Sequence, residues 1–145
     1  MTAALQATDD VHSWSFTEQR ITQICVDPAS CRIESWTLHG SFVLRFGVPF
    51  EYVSPEGTSR RIDPERPLEV APLLPLIGTS VTSLVVTRAG TLALSIADGS
   101  SLRVESHPQF EAFEVQGGGA LEGMGYLASP GGASPWGRSR IRPSA

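Results

Sequence analysis

Glycine and proline interrupt this chain so often that long helices have little room to form. The 145 residues include 14 Gly and 11 Pro, and both residue types destabilise the interior of an α-helix. Between these interruptions, short segments alternate between apolar and polar residues, which is the pattern of strands with one buried face. The sequence therefore predicts an all-β domain.

A hairpin over about residues 90–106 is the most distinct of these patterns. Apolar side chains alternate with small or polar ones from Gly90 to Asp98, and the alternation resumes after Gly99. The Asp98-Gly99 dipeptide favours a type I′ turn, in which both central residues have positive φ. We therefore expect two antiparallel strands joined by a tight turn.

Similar segments lie on both sides of a proline-rich connector, residues 64–78. The predicted strands are 21–27, 31–38, 41–46 and 50–54 before the connector, and 81–87, 90–98, 102–104 and 110–116 after it. Gly40–Phe46 can be aligned with Gly90–Ile96, which predicts an internal duplication with pseudo-repeats at about 20–63 and 79–116.

We expect one β domain over residues 13–137, between a flexible N-terminus (1–12) and a disordered tail (138–145). About seven or eight mostly antiparallel strands form a barrel-like or sandwich core from two related halves that bury one another. Prolines limit the connector to one short helical turn near residues 73–77, and residues 126–136 supply a final strand or a covering loop. The predicted core residues all have apolar side chains on alternating strands: Phe42, Leu44, Phe46, Leu92, Leu94, Ile96, Leu102 and Val104.

Charge and composition exclude several classes of function. The chain has 11 Arg, no Lys and 15 Asp plus Glu, which gives a net charge of -4. An acidic domain is poorly suited to neutralise nucleic-acid phosphates, and a chain without lysine cannot form a Schiff base. The sequence shows no signal peptide and no apolar run of about 18 residues, so we expect a cytoplasmic protein with no membrane segment.

The two cysteines, Cys25 and Cys31, flank a predicted two-residue loop at Pro28-Ala29. In such a hairpin Cys25 lies opposite Arg32, so the two thiols are not directly opposed. Small secreted disulfide scaffolds also contain more cysteines than two. We therefore favour two small buried residues with free thiols, with a disulfide as the alternative.

No metal, cofactor or catalytic site is predicted. His12, His39 and His107 lie far apart and, with Cys25 and Cys31, lack the paired spacing of structural zinc ligands. The sequence also contains no nucleophile elbow, phosphate-binding loop, dinucleotide-binding fingerprint or zinc-protease motif.

Two glutamates, Glu111 and Glu114, lie in a Phe-Glu-Ala-Phe-Glu motif. In a strand their separation of three residues places them on opposite faces, so they cannot form a facing acid–base pair. In a helical turn they would share a face and resemble a catalytic pair of carboxylates. We favour the strand, with one glutamate in solvent and the other paired with an arginine such as Arg103.

From about residue 20 to Trp136, the order of these motifs resembles a bacterial family of small β-rich proteins of unknown function. In that family the glutamate-aromatic motif reads Tyr-Glu-Ala-Trp-Glu, whereas this chain has Phe110 and Phe113, which lack the hydroxyl and the indole N–H. The resemblance implies the fold, and small acidic proteins of this kind are similar to immunity proteins that neutralise toxins. The motifs that carry it are Pro55-x-Gly57, Ile62-Asp-Pro64, Leu73-Leu74, Gly78-x-x-Val81, Gly90-x-Leu-x-Leu-x-Ile-x-Asp-Gly-x-x-Leu-x-Val104, Phe110-Glu-Ala-Phe-Glu114, Pro130-Gly-Gly132 and Trp136.

Three functions are compatible with these features. The first is a non-enzymatic, immunity-like binding module whose acidic surface contacts a basic protein partner, such as a toxin, through Glu111, Glu114 and Trp136. The second is a small-molecule binder or hydrolase that uses a cleft between the halves, with Glu111 or His107 as a base. The third is a homo-oligomeric structural subunit that associates through exposed strand edges.

Overall fold

The computed structural model describes residues 3–7, 11–130 and 132–135, and within these ranges the chain forms thirteen strands and two 3₁₀ helices. The strands are β1 (Ala3–Ala7), β2 (Val11–Arg20), β3 (Gln23–Val26), β4 (Cys31–Thr37), β5 (Gly40–Phe46), β6 (Phe50–Val53), β7 (Ser59–Ile62), β8 (Ser80–Thr87), β9 (Leu92–Ile96), β10 (Ser101–Val104), β11 (Phe113–Gly118), β12 (Gly125–Ser129) and β13 (Gly132–Pro135). The 3₁₀ helices are Pro67–Leu76 and Gly119–Leu121. No helix in the described ranges has the length and apolar character needed to cross a membrane.

These strands form two antiparallel sheets. The seven-stranded sheet has the order β1-β2-β8-β9-β10-β6-β7, and the six-stranded sheet has the order β13-β12-β11-β5-β4-β3. Neither sheet closes on itself within the described residues, so the structure fits a sandwich and not a closed barrel. The all-β, antiparallel prediction is confirmed, whereas the two related halves stay a prediction.

Each sheet combines strands from both halves of the chain. Strands β3, β4 and β5 form a meander, and β11 from the second half pairs with β5. Strands β8, β9 and β10 form another meander, and β6 from the first half pairs with β10. The chain therefore crosses between the sheets after β2, after β5 and after β10.

One apolar core lies between the two sheets. All eight predicted core residues are buried. Aromatic pairs connect opposite sheets: the ring centroids of Phe16 and Phe42 are 5.7 Å apart, and those of Phe46 and Phe50 are 4.7 Å apart. The inner faces of both sheets therefore bury one another.

The strands of the predicted 90–106 hairpin are confirmed as β9 and β10, but the predicted type I′ turn is wrong. The loop has three residues, since Ile96 N donates to Ser100 O at 3.0 Å and Gly99 N donates to Ile96 O at 3.0 Å. Among the three loop residues, Ala97, Asp98 and Gly99, only Gly99 has a positive φ, as in a type I turn followed by a glycine bulge. Asp98 Oδ1 accepts a hydrogen bond from the Ser100 amide at 2.8 Å, which stabilises this loop.

The proline-rich connector forms a longer helical segment than predicted. Instead of one turn near residues 73–77, a 3₁₀ helix covers Pro67–Leu76. A 3₁₀ helix has three residues per turn, and Val70, Leu73 and Leu76 are buried at that spacing. The prolines exclude an α-helix without preventing this tighter one, whose every third residue faces the core.

Strand structure also begins earlier in the chain than the pattern indicated. Residues 1–12 were expected to be flexible, but β1 covers Ala3–Ala7 and β2 begins at Val11. The short strand β7 was not predicted, and β12 and β13 lie where a final strand or a covering loop was expected. The number of strands predicted is therefore too low. Trp136 and the tail at 138–145 lie outside the described residues.

The β3–β4 hairpin has the predicted loop and register. Asp27 N donates to Ser30 O at 2.8 Å across the two-residue loop, and Cys25 pairs with Arg32. Both thiols are free, and only Cys31 is fully buried. Burial raises the pKa of the Cys31 thiol to about 12, and the charge of Asp27 adds to this effect.

The end of β11 approaches the following chain closely at Gly117. A Cβ atom at this position would lie 1.9 Å from Leu121 O and 2.9 Å from Met124 Cβ. The Gly117 amide donates to Met124 O at 2.8 Å. Only glycine therefore fits at this position.

Replacing Gly117 with alanine should lower the free energy of unfolding by about 3 kcal/mol or more, because backbone atoms near Leu121 would have to move. Gly123→Ala is the matched control, since a Cβ atom at position 123 would extend into open space, with no packed neighbour within 4 Å. Urea denaturation measures both. Equal midpoints for the two variants would contradict this close approach.

Iodoacetamide should modify Cys25 and leave Cys31 unmodified in the native protein, even at about pH 10, because Cys31 remains a buried thiol below its raised pKa. Intact mass spectrometry should detect one adduct in native protein, two in denaturant and none in native Cys25→Ser. Rapid native labelling of Cys31 would show that the β4 core position is accessible.

Candidate functional site

A row of side chains crosses the outer face of the six-stranded sheet. Strand pairing places Cys25, Arg32, Arg45, Glu114 and Leu127 side by side on β3, β4, β5, β11 and β12. Intervening residues of β4 and β5 are buried in the core, so this row faces outward. We call these five residues the arginine row.

Arg32 and Arg45 are directly opposed on β4 and β5, an unfavourable arrangement unless negative charges lie nearby. Asp27 and Glu34 place carboxylate oxygens 3.7 and 3.6 Å from Arg32 Nε. The pKa of Arg32 is raised above its ordinary value, first by its electrostatic interaction with Cys25 and then by these carboxylates, although burial opposes the shift. The Arg32 guanidinium therefore stays charged.

Two glutamates contact Arg45, the second arginine of the opposed Arg32–Arg45 pair. Glu111 Oε1 lies 3.7 Å from Arg45 Nη2, and Glu114 Oε1 lies 3.4 Å from Arg45 Nε. The side chains are partly exposed, so water screens each pair and its contribution to stability is small. The contacts hold Glu111 and Glu114 beside Arg45. Four carboxylates in all, the buried Glu34 among them, surround the two arginines.

The predicted partner of these glutamates is wrong. Arg103 instead contacts Glu105, with Nε and Oε2 3.3 Å apart, because β10 belongs to the seven-stranded sheet and β11 to the six-stranded one. Strand β11 begins only at Phe113, so Glu111 precedes the strand. The alternation of side chains along a strand therefore does not determine where the Glu111 side chain points. The structure therefore brings both glutamates to Arg45.

Trp36 is an exposed aromatic residue held in place by a buried carboxylate. It is 58% exposed, and its indole N–H donates to Glu34 Oε1 at 2.8 Å. Glu34 is only 8% exposed, and its other oxygen lies 3.7 Å from Cys25 Sγ. The Trp36 amide donates to Thr22 Oγ1 at 3.1 Å. A large apolar ring is therefore presented to solvent in one orientation.

A shallow depression of about 410 Å³ lies beside Trp36 at the β4–β5 turn. Leu38, fully exposed, also lines it. Glu18 and His39 also line it and contact each other, with Oε1 and Nε2 2.7 Å apart. Exposed apolar side chains beside polar ones are typical of a contact surface.

His107, a candidate base, lies in a groove of about 610 Å³ on the seven-stranded sheet, between segments of both halves. Its Nδ1 accepts a hydrogen bond from Gln109 N at 3.0 Å. The carboxylates in this groove, Glu51 and Glu105, are exposed. The other candidate base, Glu111, contacts Arg45 on the six-stranded sheet. The structure therefore does not bring the two candidate bases together.

The remaining histidines contact different partners, His12 at Tyr126 and His39 at Glu18. In the part of the chain that the structure describes, no group of three or more His, Cys, Asp or Glu side chains could hold a metal ion. Trp136, the third predicted contact residue, lies outside that part.

Residues 30–134 match the model of a family of unknown function, DUF6188. The chain belongs to this family. The DUF6188 match includes β4, β5 and β11, and therefore Trp36, Glu34 and every member of the arginine row except Cys25. No curated protein and no solved structure matches the chain.

Three residues on this outer face of the six-stranded sheet were not predicted from the sequence: Glu34, Trp36 and Arg45. The signal for two of them was present, since Arg32, Glu34 and Trp36 alternate along β4 and must share a face. Arg45 could be placed beside them only once the pairing of β4 with β5 was known.

Replacing Glu34 with alanine should lower the free energy of unfolding by about 2 kcal/mol, because the Trp36 indole loses its acceptor and buried Arg32 Nε loses a neighbouring charge. Glu34→Gln keeps an oxygen acceptor and should lower it less. Urea denaturation measures both, with the exposed Glu56→Ala as control. Equal stability of Glu34→Ala and Glu56→Ala would contradict this role.

Proposed function

We propose that this chain is a non-enzymatic protein-binding module whose outer face on the six-stranded sheet contacts a basic protein. The observation that carries the proposal is Trp36, which is exposed and yet fixed by buried Glu34. Tryptophan is enriched among the residues that dominate binding energy at interfaces. A side chain that is already fixed also loses little conformational entropy on binding.

The charges on the same face favour a basic partner. Four carboxylates surround the two arginines of the row, and the whole chain has a net charge of -4. Opposite charge on a partner increases the association rate and disfavours acidic competitors. The partner that fits has an apolar group to cover Trp36 and basic side chains to contact Glu111 and Glu114.

A basic toxin has this chemistry, and neutralising such a protein in the cytoplasm is the role that we propose. This part of the proposal rests on the charge of the contact face. Trp136, which follows β13 in the sequence, is a third proposed contact residue.

Photo-crosslinking from defined positions tests the proposal. A photoreactive residue replaces Gln116, which is exposed on β11 beside the arginine row, or Thr82, which is exposed on β8 of the other sheet. In extracts of the native host, we expect position 116 to cross-link one basic protein and position 82 not to cross-link it. The yield should fall with added salt, because the contact is partly electrostatic.

Substitutions on the contact face then separate specific from general effects. Trp36→Ala and Glu111→Arg should each reduce cross-linking from position 116 by about tenfold. Glu56→Arg, a charge reversal at an exposed turn, should leave the yield unchanged. Equal cross-linking from both positions, an acidic partner, or a second copy of this chain as the main product would each overturn the proposal.

A further inference from the structure

The groove on the seven-stranded sheet lies away from the face that the proposed function uses. It is open to solvent and lies beside β6, β7 and β10. Its lining combines the half-buried Pro49 with charged and polar side chains, among them Arg61, Arg103, His107 and the carboxylates Glu51 and Glu105. The neighbouring Val48 and Phe50 are buried in the core. A concave site of this composition is suited to a small molecule with one charged end.

Two arginines flank one glutamate in this groove. Strand pairing places Glu51 of β6 between Arg103 of β10 and Arg61 of β7. The Glu51 carboxylate accepts a hydrogen bond from Ser59 Oγ. Among the residues that the structure describes, Arg61 has no carboxylate within ion-pair distance. Glu51 therefore forms no ion pair with the Arg61 guanidinium.

The Arg103 guanidinium can also exchange its present carboxylate partner for a ligand. Arg103 contacts Glu105, but both side chains are more than half exposed. Water weakens an exposed pair of this kind, so the oxygen atoms of a ligand can replace the carboxylate. The planar guanidinium group donates two parallel hydrogen bonds to a carboxylate or a phosphate.

His107 adds a hydrogen-bond donor to the same groove. Because its Nδ1 accepts the Gln109 N–H, the proton of the neutral ring lies on Nε2. The Phe110 ring, with its centroid 5.0 Å from that of His107, packs against this side chain. The groove therefore offers Nε2–H in addition to two guanidinium groups.

We propose that this groove binds a small organic oxyanion, whose carboxylate or phosphate ester contacts the guanidinium groups of Arg61 and Arg103. Strands two apart in a sheet are separated by about 10 Å, a span that two extended arginine side chains can close around one anionic group. The apolar part of the ligand would lie against Pro49, which is half-buried in the groove wall. This site is independent of the proposed protein contact.

Titration of the full chain with phenyl phosphate, followed by NMR and calorimetry, tests the proposal. We expect a dissociation constant of about 1 mM or tighter, with shift changes at the arginine Nε–H groups and at residues 105–107. Benzoate in a parallel titration distinguishes a carboxylate ligand from a phosphate ester. Phenol should bind at least about tenfold more weakly, because it lacks the anion.

Variants of the two arginines show whether binding uses the groove. Arg61→Gln and Arg103→Gln should each weaken the preferred anion by about tenfold, and Arg61→Lys should weaken it less. Arg88→Gln is the control, since Arg88 is exposed at the β8–β9 turn outside the groove. Urea denaturation of each variant confirms that it is folded.

Absence of binding by both anions, or an equal loss in Arg88→Gln, would overturn the groove proposal. Cross-linking from position 116 in Arg61→Gln separates the two proposals, because it should remain at the wild-type level whether or not the groove binds an anion.

Discussion

The structure depends on two sheets that bury their apolar faces against each other. Phe16 meets Phe42, and Phe46 meets Phe50, across the space between them. Burying one such side chain contributes about 2 to 3 kcal/mol, and neither sheet could do so alone. A polar contact joins the same layers: fully buried Gln19 donates through Nε2 to Gly40 O at 2.9 Å, which ties β2 to the start of β5.

The inner faces are buried in the core, so the outer faces are available for binding. On one outer face carboxylates surround arginines, and on the other arginines flank a carboxylate. On the six-stranded sheet, four carboxylates surround Arg32 and Arg45, so negative charges outnumber positive ones there. On the seven-stranded sheet, Arg61 and Arg103 lie on either side of Glu51. The two proposals therefore assign ligands of opposite charge to the two surfaces, a basic protein to one and a small anion, contacted by Arg61 and Arg103, to the other.

The strands and the core could be predicted because alternation along a strand is a local property of the sequence. Pairing between distant strands is not local. Glu114 contacts Arg45 because β11, from the second half of the chain, pairs with β5 from the first half. No residue near Glu114 in the sequence indicates this pairing. The Asp98 turn shows another limit: the side-chain bond to Ser100 stabilises a conformation that the dipeptide rule does not include.

The exchange of strands between halves has a consequence for synthesis. Strand β5 keeps one open edge until β11, which ends at Gly118, has been made. While the chain is still attached to the ribosome, the six-stranded sheet therefore lacks its central pairing and exposes a template for association with other chains. Protection of that edge by a chaperone, or rapid translation through β11, would favour correct assembly in the cell.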